Sequence, residues 1–479
     1  MRDVLFANLP IPFQKLRTYL WLVVFSRALG PAGYGAWSLF NVTLGLGTCM
    51  VTMNFGTAMM RFLSGKRTAD ESSQAMSTVL STVGALALAA GVLLTVFSKP
   101  LASAVFGRTD YSRLVILAAA AVGLDGLFEE MRGFLRAQRL NRSWALFTLA
   151  RLVPETAAVL LVGIWLSSVT AIAWAYLAAG VVAVGLGFVY LRVVRGLRWH
   201  RPSRAVLTRY TWYGAALLPG ALASSLSFSA DRYLVGYFLD LRQVGIYSVC
   251  FTISALGFFL LGPINDVLLP ELSALHDSAD WDAFRGRFAG IQKMVFGFSV
   301  GAMALLAVFP GAVLRIAVSS AYASGATTLA VLGLQGVFMS MAMLYSVILN
   351  VSLRVWASTT LWVGMGMVVV ILDILLVPRM GITGAAWSQL ISSVGGAAVL
   401  LAANWKLFRL TFSPSWIAQA GMAFAAVCVI PFLWHGATAT LLGCGLKLVI
   451  GSIVFLLALV LTRFLRPSEI RVFREAFSH

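Results

Sequence analysis

The chain has 479 residues, of which 60% are hydrophobic and 11% are charged, and its mean hydropathy is +0.88. Soluble domains carry about a quarter charged residues, so this composition excludes an ordinary water-soluble protein. The formal net charge is +18, but the basic residues lie between apolar segments, which favours a role in membrane topology over nucleic-acid binding.

Apolar stretches of more than about 18 residues recur along the whole sequence, which is typical of membrane-spanning helices. Helix is the expected conformation, because backbone polar groups in lipid must be satisfied within each segment. We predict an all-α polytopic membrane protein with about fourteen transmembrane helices and short connections. The predicted spans are 8–29, 35–62, 76–97, 111–135, 144–166, 169–192, 210–236, 243–270, 286–309, 324–350, 355–377, 382–405, 414–434 and 438–462.

The start of the first span is unusual. Pro10, Pro12, Gln14, Lys15 and Arg17 interrupt its apolar run, so we expect either a helix broken at its cytoplasmic end or a true start elsewhere. The same stretch lacks the apolar core and small-residue cleavage site of a signal peptide.

Basic residues concentrate in every second connection when the N-terminus is placed inside the cell. The richest of these connections contain Arg136, Arg139 and Arg142, and the run from Arg192 to Arg209. This positive-inside bias and an even number of spans predict a multi-pass protein with both termini in the cytoplasm.

Two pairs of similar segments indicate an internal duplication. Residues 29–38 (LGPAGYGAWS) match 239–248 (LDLRQVGIYS), and 169–174 (VTAIAW) match 382–387 (ITGAAW) at nearly the same offset. Chance similarity of Gly-rich apolar sequence is the alternative. Duplicated six-helix halves would share one orientation and hold substrate at their interface. We therefore predict an N-terminal lobe at 1–204, a C-terminal lobe at 205–410, and helices 13 and 14 with a basic cytoplasmic tail at 411–479.

The fourth and fifth spans carry ionisable residues where the membrane makes them costly. Asp125, Glu129 and Arg132 fall on one face of span four, and Arg151 and Glu155 lie one turn apart on span five. The two helices run in opposite directions, so Arg151 is expected at the depth of Asp125 and Glu129. Two interpretations stay open: the wall of a hydrophilic cavity, or a structural network of ion pairs.

Four further charged residues are candidates for a role in transport. Arg27 and Asp231 lie near the outer face in the first helices of the two halves, where they could form an ion pair or make a static contact. Arg61 lies near the inner end of span two, where it could contact the substrate at the cytoplasmic entry or extend its side chain to the membrane surface. Lys447 is isolated within span fourteen, and we expect it in a groove or near an interface, where an undecaprenyl contact is one candidate role.

Several motifs together resemble those of Wzx-type polysaccharide flippases, members of the multidrug/oligosaccharidyl-lipid/polysaccharide exporter superfamily. Residues 27–38 are similar to the "R-x-L-G-P-x-x-Y-G" turn of that family. The other similar segments, in the expected order, are 54–61, 231–239 with 244–248, 270–273 and 381–386.

The resemblance implies fourteen helices in two lobes around a central cavity. It also implies alternating-access transfer of undecaprenyl-pyrophosphate-linked oligosaccharide across a bacterial or archaeal plasma membrane. Arginines of the cavity would then bind pyrophosphate, and carboxylates would bind sugar hydroxyls or a coupling cation, H⁺ or Na⁺. No cofactor is expected. The expected partners are the substrate, membrane lipids and polysaccharide assembly proteins, with the chain itself a monomer that binds no nucleic acid.

Other functions stay open at this point. A lipid II flippase of the same superfamily also has fourteen helices, whereas a drug or cation antiporter of the superfamily usually has twelve. A membrane glycosyltransferase or polymerase generally needs a large outer loop with clustered acidic or histidine residues, and the predicted outer loops are short. The sequence contains no GxxxxGK[ST] motif for ATP.

Overall fold

A computed structural model describes residues 9–63, 68–255, 268, 271–352, 355–409, 412–433 and 440–464. The chain divides into two compact units, Met1–Gly245 and Ile246–His479. This division falls later in the chain than the lobe boundary expected from the repeat, and the repeat-based lobes stay a prediction. The described residues contain helices and no strand.

Helix α1 (Pro10–Thr52) contains the first two predicted spans. Gly30 takes φ 65° and ψ 179° immediately before Pro31, so the helix is interrupted there. The rings of Trp21 and Trp37 lie 5.6 Å apart, although a straight helix would separate these residues by about 24 Å. The two parts of α1 therefore fold back on each other at the Gly30–Pro31 kink.

Of the two alternatives for the start of the first span, the broken helix is wrong. Helix α1 begins at Pro10, and its first part continues without interruption as far as Gly30. Proline is compatible with the first turn of a helix, where the missing N–H would have no intrahelical partner. Arg17 therefore has a fixed place on a continuous helix.

The remaining helices of the first unit pack around α1. Helix α3 begins with a capping box in which the Thr68 hydroxyl accepts from the Glu71 N–H and the Glu71 carboxylate accepts from the Thr68 N–H. Helix α5 contacts α1, α3 and α7, which places it at the centre of the unit. The helices are α2 (Phe55–Leu63), α3 (Ala69–Val96), α4 (Ser98–Phe106), α5 (Ser112–Ala137), α6 (Asn141–Leu166), α7 (Val169–Val189), α8 (Arg204–Ser227), α9 (Ala230–Phe238) and α10 (Leu241–Ser254), the last of which continues beyond the unit boundary.

The two copies of the first repeated motif meet through their equivalent glycines. A Cβ atom on Gly35 would lie 2.9 Å from the Gly245 nitrogen, and one on Gly245 would lie 3.0 Å from the Gly35 nitrogen. Each added Cβ would also overlap a carbonyl oxygen, that of Leu241 or that of Pro31. The contact is reciprocal, so both positions exclude a side chain for the same reason.

The connection between α7 and α8 lies along α3 and is held by hydroxyl groups. Backbone N–H groups of Arg198, His200 and Ser203 donate to Ser73 Oγ, Ser77 Oγ and Thr78 Oγ1 at 3.3, 3.2 and 3.1 Å. The central part of the basic Arg192–Arg209 connection is thus an ordered strap, which we define as residues 195–203.

The second unit is built around α13, which packs most extensively on α11 and α15. The Gln292 amide donates to the Tyr345 hydroxyl at 2.7 Å, and the Asn404 amide donates to the Tyr345 carbonyl at 3.1 Å. These bonds between buried residues tie three helices together. The helices are α11 (Trp281–Val308), α12 (Pro310–Ala317), α13 (Ala326–Val351), α14 (Val355–Met380), α15 (Ile382–Phe408), α16 (Pro414–Leu433) and α17 (Leu441–Leu461).

The last helix pair, α16 and α17, packs against α11. Aromatic rings occupy the places left open by two glycines, since a Cβ on Gly297 would lie 2.5 Å from the Phe464 ring and one on Gly301 would lie 2.7 Å from the Phe455 ring. The small residues of α11 therefore allow the close packing expected from the Gly297–Gly301 pair.

The helical membrane fold predicted from the sequence is confirmed, and fourteen spans are consistent with it. Nine described helices are long and apolar enough to cross a bilayer, or ten if α1 and α2, bent by 42°, count together. The difference from fourteen has identifiable causes. Spans one and two both lie in the bent helix α1, and span four corresponds to α5, which carries several charges. Span seven is divided between α8 and α9, and span eight, at 243–270, lies partly outside the described residues.

Candidate functional site

The site forms where α5 and α6 lie side by side in opposite directions. The Arg151 guanidinium on α6 contacts the Asp125 carboxylate on α5, and its Nε donates to Glu155 Oε2 at 2.8 Å. The Arg151 guanidinium also lies over the Phe128 ring, 4.6 Å from its centre. This contact requires Arg151 and Asp125 to lie at the same depth, as predicted from the sequence.

Tyr176 on α7 connects this pair to the aromatic core of the first unit. Its hydroxyl donates to Asp125 Oδ2 at 2.7 Å. Its ring packs within 6.5 Å of the rings of Trp21, Trp37 and Phe40. The aromatic cluster therefore holds the hydroxyl in place, and the hydroxyl orients the carboxylate.

Arg17 completes the network from the third direction. Its Nη1 donates to Glu155 Oε1 at 2.7 Å, and its guanidinium lies 4.6 Å from the centre of the Trp21 ring. The Glu155 side chain is 1% exposed and accepts bonds from both Arg17 and Arg151. A buried carboxylate with two guanidinium partners is well compensated for the loss of water.

Except for Glu155, which is buried behind them, these charged groups border a cavity of about 280 Å³ within the first unit. Glu129 and Arg132 form a second ion pair at its edge, with 2.6 Å between Oε2 and Nη2 and a half-exposed glutamate. The cavity wall thus contains charged, hydroxyl and amide groups together. The lining residues are Gln14, Arg17, Leu44, Gly45, Thr48, Asp125, Phe128, Glu129, Arg132, Thr148, Arg151, Leu152 and Tyr176.

Both interpretations of these charges describe part of the site. The groups form a network of ion pairs, and the same network borders a cavity. Three arginines (Arg17, Arg132 and Arg151) are paired with three carboxylates (Asp125, Glu129 and Glu155), so the cluster is formally neutral. An entering anion must therefore compete with these carboxylates for the arginines.

The other predicted site residues lie away from this cavity. Arg27 is exposed on α1, and Arg61 is exposed on α2. Asp231 is fully buried near the start of α9, where its Oδ1 accepts from the Arg232 N–H at 2.9 Å. The ion pair expected between Arg27 and Asp231 stays a prediction.

Sequence reasoning missed Arg17, Gln14 and Tyr176 as members of the site. Arg17 and Gln14 lie one turn apart on the part of α1 that was expected to be broken. It also missed Glu130, which is 2% exposed although its neighbour Glu129 borders the cavity. The sequence did contain a signal, namely two adjacent acidic residues on a membrane helix. Adjacent residues point about 100° apart on a helix, so only one of the two can face the cavity directly.

Comparison with known proteins gives consistent results. A family model described as "Polysaccharide biosynthesis protein" matches residues 24–327. The probable flippase AglR of Haloferax volcanii is 25% identical over 285 residues, which are 56% of this chain and 58% of AglR. The chain therefore matches less than two thirds of the length of this curated relative.

Two groups of solved structures share the fold. The lipid II flippase MurJ in an inward closed conformation superposes with a TM-score of 0.73 and 13% identity, over 96% of this chain and 98% of MurJ. An inward-facing multidrug resistance MATE family transporter of the MOP superfamily superposes with a TM-score of 0.59 and 17% identity, over 84% and 94% of the two chains. At these identities the likeness establishes the fold.

Proposed function

Because the chain belongs to the polysaccharide biosynthesis protein family, we propose that it is a flippase for an undecaprenyl-pyrophosphate-linked oligosaccharide. Family membership confirms the resemblance to Wzx-type exporters drawn from the motifs. The proposed substrate combines a charged pyrophosphate, a hydroxyl-rich glycan and an apolar chain, and the proposed reaction is its transfer across the plasma membrane by alternating access.

The observation that supports the proposal best is the charged cavity within membrane helices. Ionisable groups inside a bilayer normally face a cavity or a partner, because lipid does not solvate them. Here Asp125, Arg151 and Tyr176 on three different helices converge on one cavity. Burying charged groups costs free energy, and binding of a polar substrate would explain why the protein retains them.

In the proposed mechanism, pyrophosphate replaces carboxylates as the partner of the cavity arginines. Arginine forms bidentate bonds with phosphate oxygens as readily as with carboxylates. The cavity carboxylates released from their arginines, Asp125 and Glu129, are then available to sugar hydroxyls or to a coupling cation, H⁺ or Na⁺. The neutral network keeps the empty cavity stable and allows exchange of one anion for another.

The other parts of the proposal follow the sequence prediction. The protein acts in a bacterial or archaeal plasma membrane, with both termini in the cytoplasm, as a monomer that cooperates with polysaccharide assembly proteins. No cofactor enters the mechanism. The known proteins compared above are flippases and transporters, which favours transport over the activity of a membrane glycosyltransferase or polymerase.

Transport of lipid II is the second candidate substrate. The specific observation in its favour is the superposition on MurJ over 96% of this chain, compared with 84% for the MATE transporter. Lipid II carries the same pyrophosphate, so the cavity arginines would have the same task. The two candidates differ in the glycan and its attached groups.

Complementation tests the proposal. We expect the wild-type chain to restore surface polysaccharide in a strain that lacks its own repeat-unit flippase, and to lower the amount of lipid-linked repeat left on the cytoplasmic side. Arg151→Gln should reduce this activity by about tenfold or more, because it removes a guanidinium that binds pyrophosphate in the proposed mechanism and leaves Asp125 without a cationic partner. The control is Arg108→Gln, which changes an arginine that is 67% exposed and paired with Asp110.

Each outcome distinguishes the candidates. Equal activity of the Arg151 and Arg108 variants, at equal amounts of protein in the membrane, would refute the cavity as the transport site. Rescue of a strain depleted of its lipid II flippase, without rescue of polysaccharide export, would replace the proposed substrate by lipid II.

A further inference from the structure

A second cavity, of about 360 Å³, lies in the second unit. It is bordered by α12, by the 3₁₀ turn Ser320–Gly325, by α17 and by Pro431 of α16. Its wall is mainly apolar, with two cationic side chains, Arg315 and Lys447. No Asp or Glu is among the residues that border it.

Lys447 is the unusual residue of this cavity. It is 5% exposed, and it lies on the most apolar of the nine candidate spans, whose mean hydropathy is 2.6. Among the described residues it forms no hydrogen bond and no ion pair. An ammonium group buried in a membrane protein requires a counter-charge or water, since neither lipid nor an apolar wall can solvate it.

Other polar groups at the same cavity favour an anion. The N-terminus of α12 borders it through Pro310 and Gly311, and no side chain caps this helix. The first N–H groups of a helix lack intrahelical partners and attract negative charge. The Ser319 and Ser320 hydroxyls also border the cavity, and Arg315 is exposed on α12.

The position of Lys447 on its helix indicates the depth of this site. Helix α17 begins at Leu441, so Lys447 lies about 9 Å along its axis from that end. A lysine side chain at this depth reaches the level of lipid headgroups. The wall around Lys447 is mainly apolar, so the cavity can enclose the glycerol and the first acyl carbons of a lipid together with its phosphate.

We propose that this cavity binds the phosphate group of an anionic glycerophospholipid, with Lys447 and Arg315 as its counter-charges. By the predicted topology this lipid belongs to the outer leaflet. The phosphate meets Lys447, the serine hydroxyls and the uncapped end of α12, and the first carbons of the acyl chains lie against the apolar wall of the cavity. The lipid is a resident of the protein and does not depend on which substrate is transported.

Native mass spectrometry of the purified full-length protein tests the proposal. Detergent-solubilised protein is supplied with phosphatidylglycerol, with phosphatidylcholine or with undecaprenyl phosphate. We expect one phosphatidylglycerol molecule per chain to remain bound at collision energies that remove phosphatidylcholine. Lys447→Met should weaken phosphatidylglycerol binding by about tenfold or more, because it removes a charge-assisted contact.

Two further variants keep the test independent of folding. Lys447→Arg retains the charge and should retain binding, whereas Arg315→Gln changes an exposed residue of the same cavity and should weaken binding. Lys406→Met is the matched control, since Lys406 is an exposed lysine of α15 and should have no effect.

Three outcomes would overturn the proposal. The first is equal retention of phosphatidylcholine and phosphatidylglycerol. The second is a loss of binding in the Lys406 control as large as in the Lys447 variant. The third is Lys447-dependent retention of undecaprenyl phosphate in preference to phosphatidylglycerol, which would assign the cavity to the carrier lipid.

Discussion

Replacing Glu155 by glutamine tests whether the charged network stabilises the first unit. The Glu155 side chain is 1% exposed and accepts from Arg17 at 2.7 Å and from Arg151 at 2.8 Å. Glutamine has nearly the same shape but carries no charge, so one of the two guanidinium groups loses its counter-charge. Removing one member of a buried ion pair costs about 3–5 kcal/mol.

A double-mutant cycle separates the contact itself from the cost of an unpaired charge. The variants are Glu155→Gln, Arg17→Gln and the two together. Contacting residues couple by about 0.5–3 kcal/mol. We expect about 2 kcal/mol for this pair, below the upper limit because Arg17 is 28% exposed and partly screened by solvent.

The free energy of unfolding is measured by titration of the purified protein in mixed micelles with a denaturing detergent. Glu129 and Arg132 provide the matched control, because they also form an ion pair, at 2.6 Å, but the glutamate is 41% exposed. For this pair we expect a coupling of less than about 1 kcal/mol. Equal coupling energies for the two pairs would show that burial of Glu155 has no energetic consequence, and would refute the reasoning.

Three further variants address transport and packing. Exchange of Arg151 and Glu155 keeps the charges but moves them by one turn, so we expect loss of polysaccharide export in the complementation assay, and export at the wild-type rate would contradict a role in the cavity. Gly245→Ala should lower the thermal unfolding temperature, since the added Cβ would overlap the Pro31 carbonyl oxygen and would also lie only 3.0 Å from the Gly35 nitrogen, so the cost reaches about 3 kcal/mol or more. Gly91→Ala is its control, because a Cβ at Gly91 meets no atom within 4 Å and should leave the temperature unchanged or raise it. Tyr176→Phe removes the hydrogen bond to Asp125 and should destabilise the protein by about 1 kcal/mol, and no change in unfolding free energy would mean that the hydroxyl does not position Asp125.

The positions of membrane helices were predictable because lipid leaves so few alternatives for the backbone. The contact between Asp125 and Arg151 was also predictable from the sequence. In two antiparallel helices joined by a short connection, the rise per residue gives the relative depth of any two residues. The depth of a residue along a helix follows from its position in the sequence and the rise per residue.

The missed members of the site depend on packing in three dimensions. Arg17 was missed because prolines near a helix start were interpreted as a break, although the first turn tolerates them. Tyr176 carries no signal within an apolar helix, and its role arises only where its hydroxyl meets α5. Glu129 and Glu130 differ only in the direction they face, and neighbouring helices determine which one is buried.

The strap at residues 195–203 gives this surface connection a property that loops usually lack. Surface loops generally accept insertions, because their ends are all that the fold constrains. Here three amides at fixed intervals match three hydroxyls of α3, so one additional residue would shift every later donor away from its acceptor. The length of this connection is therefore set by the spacing of the hydroxyl groups on α3.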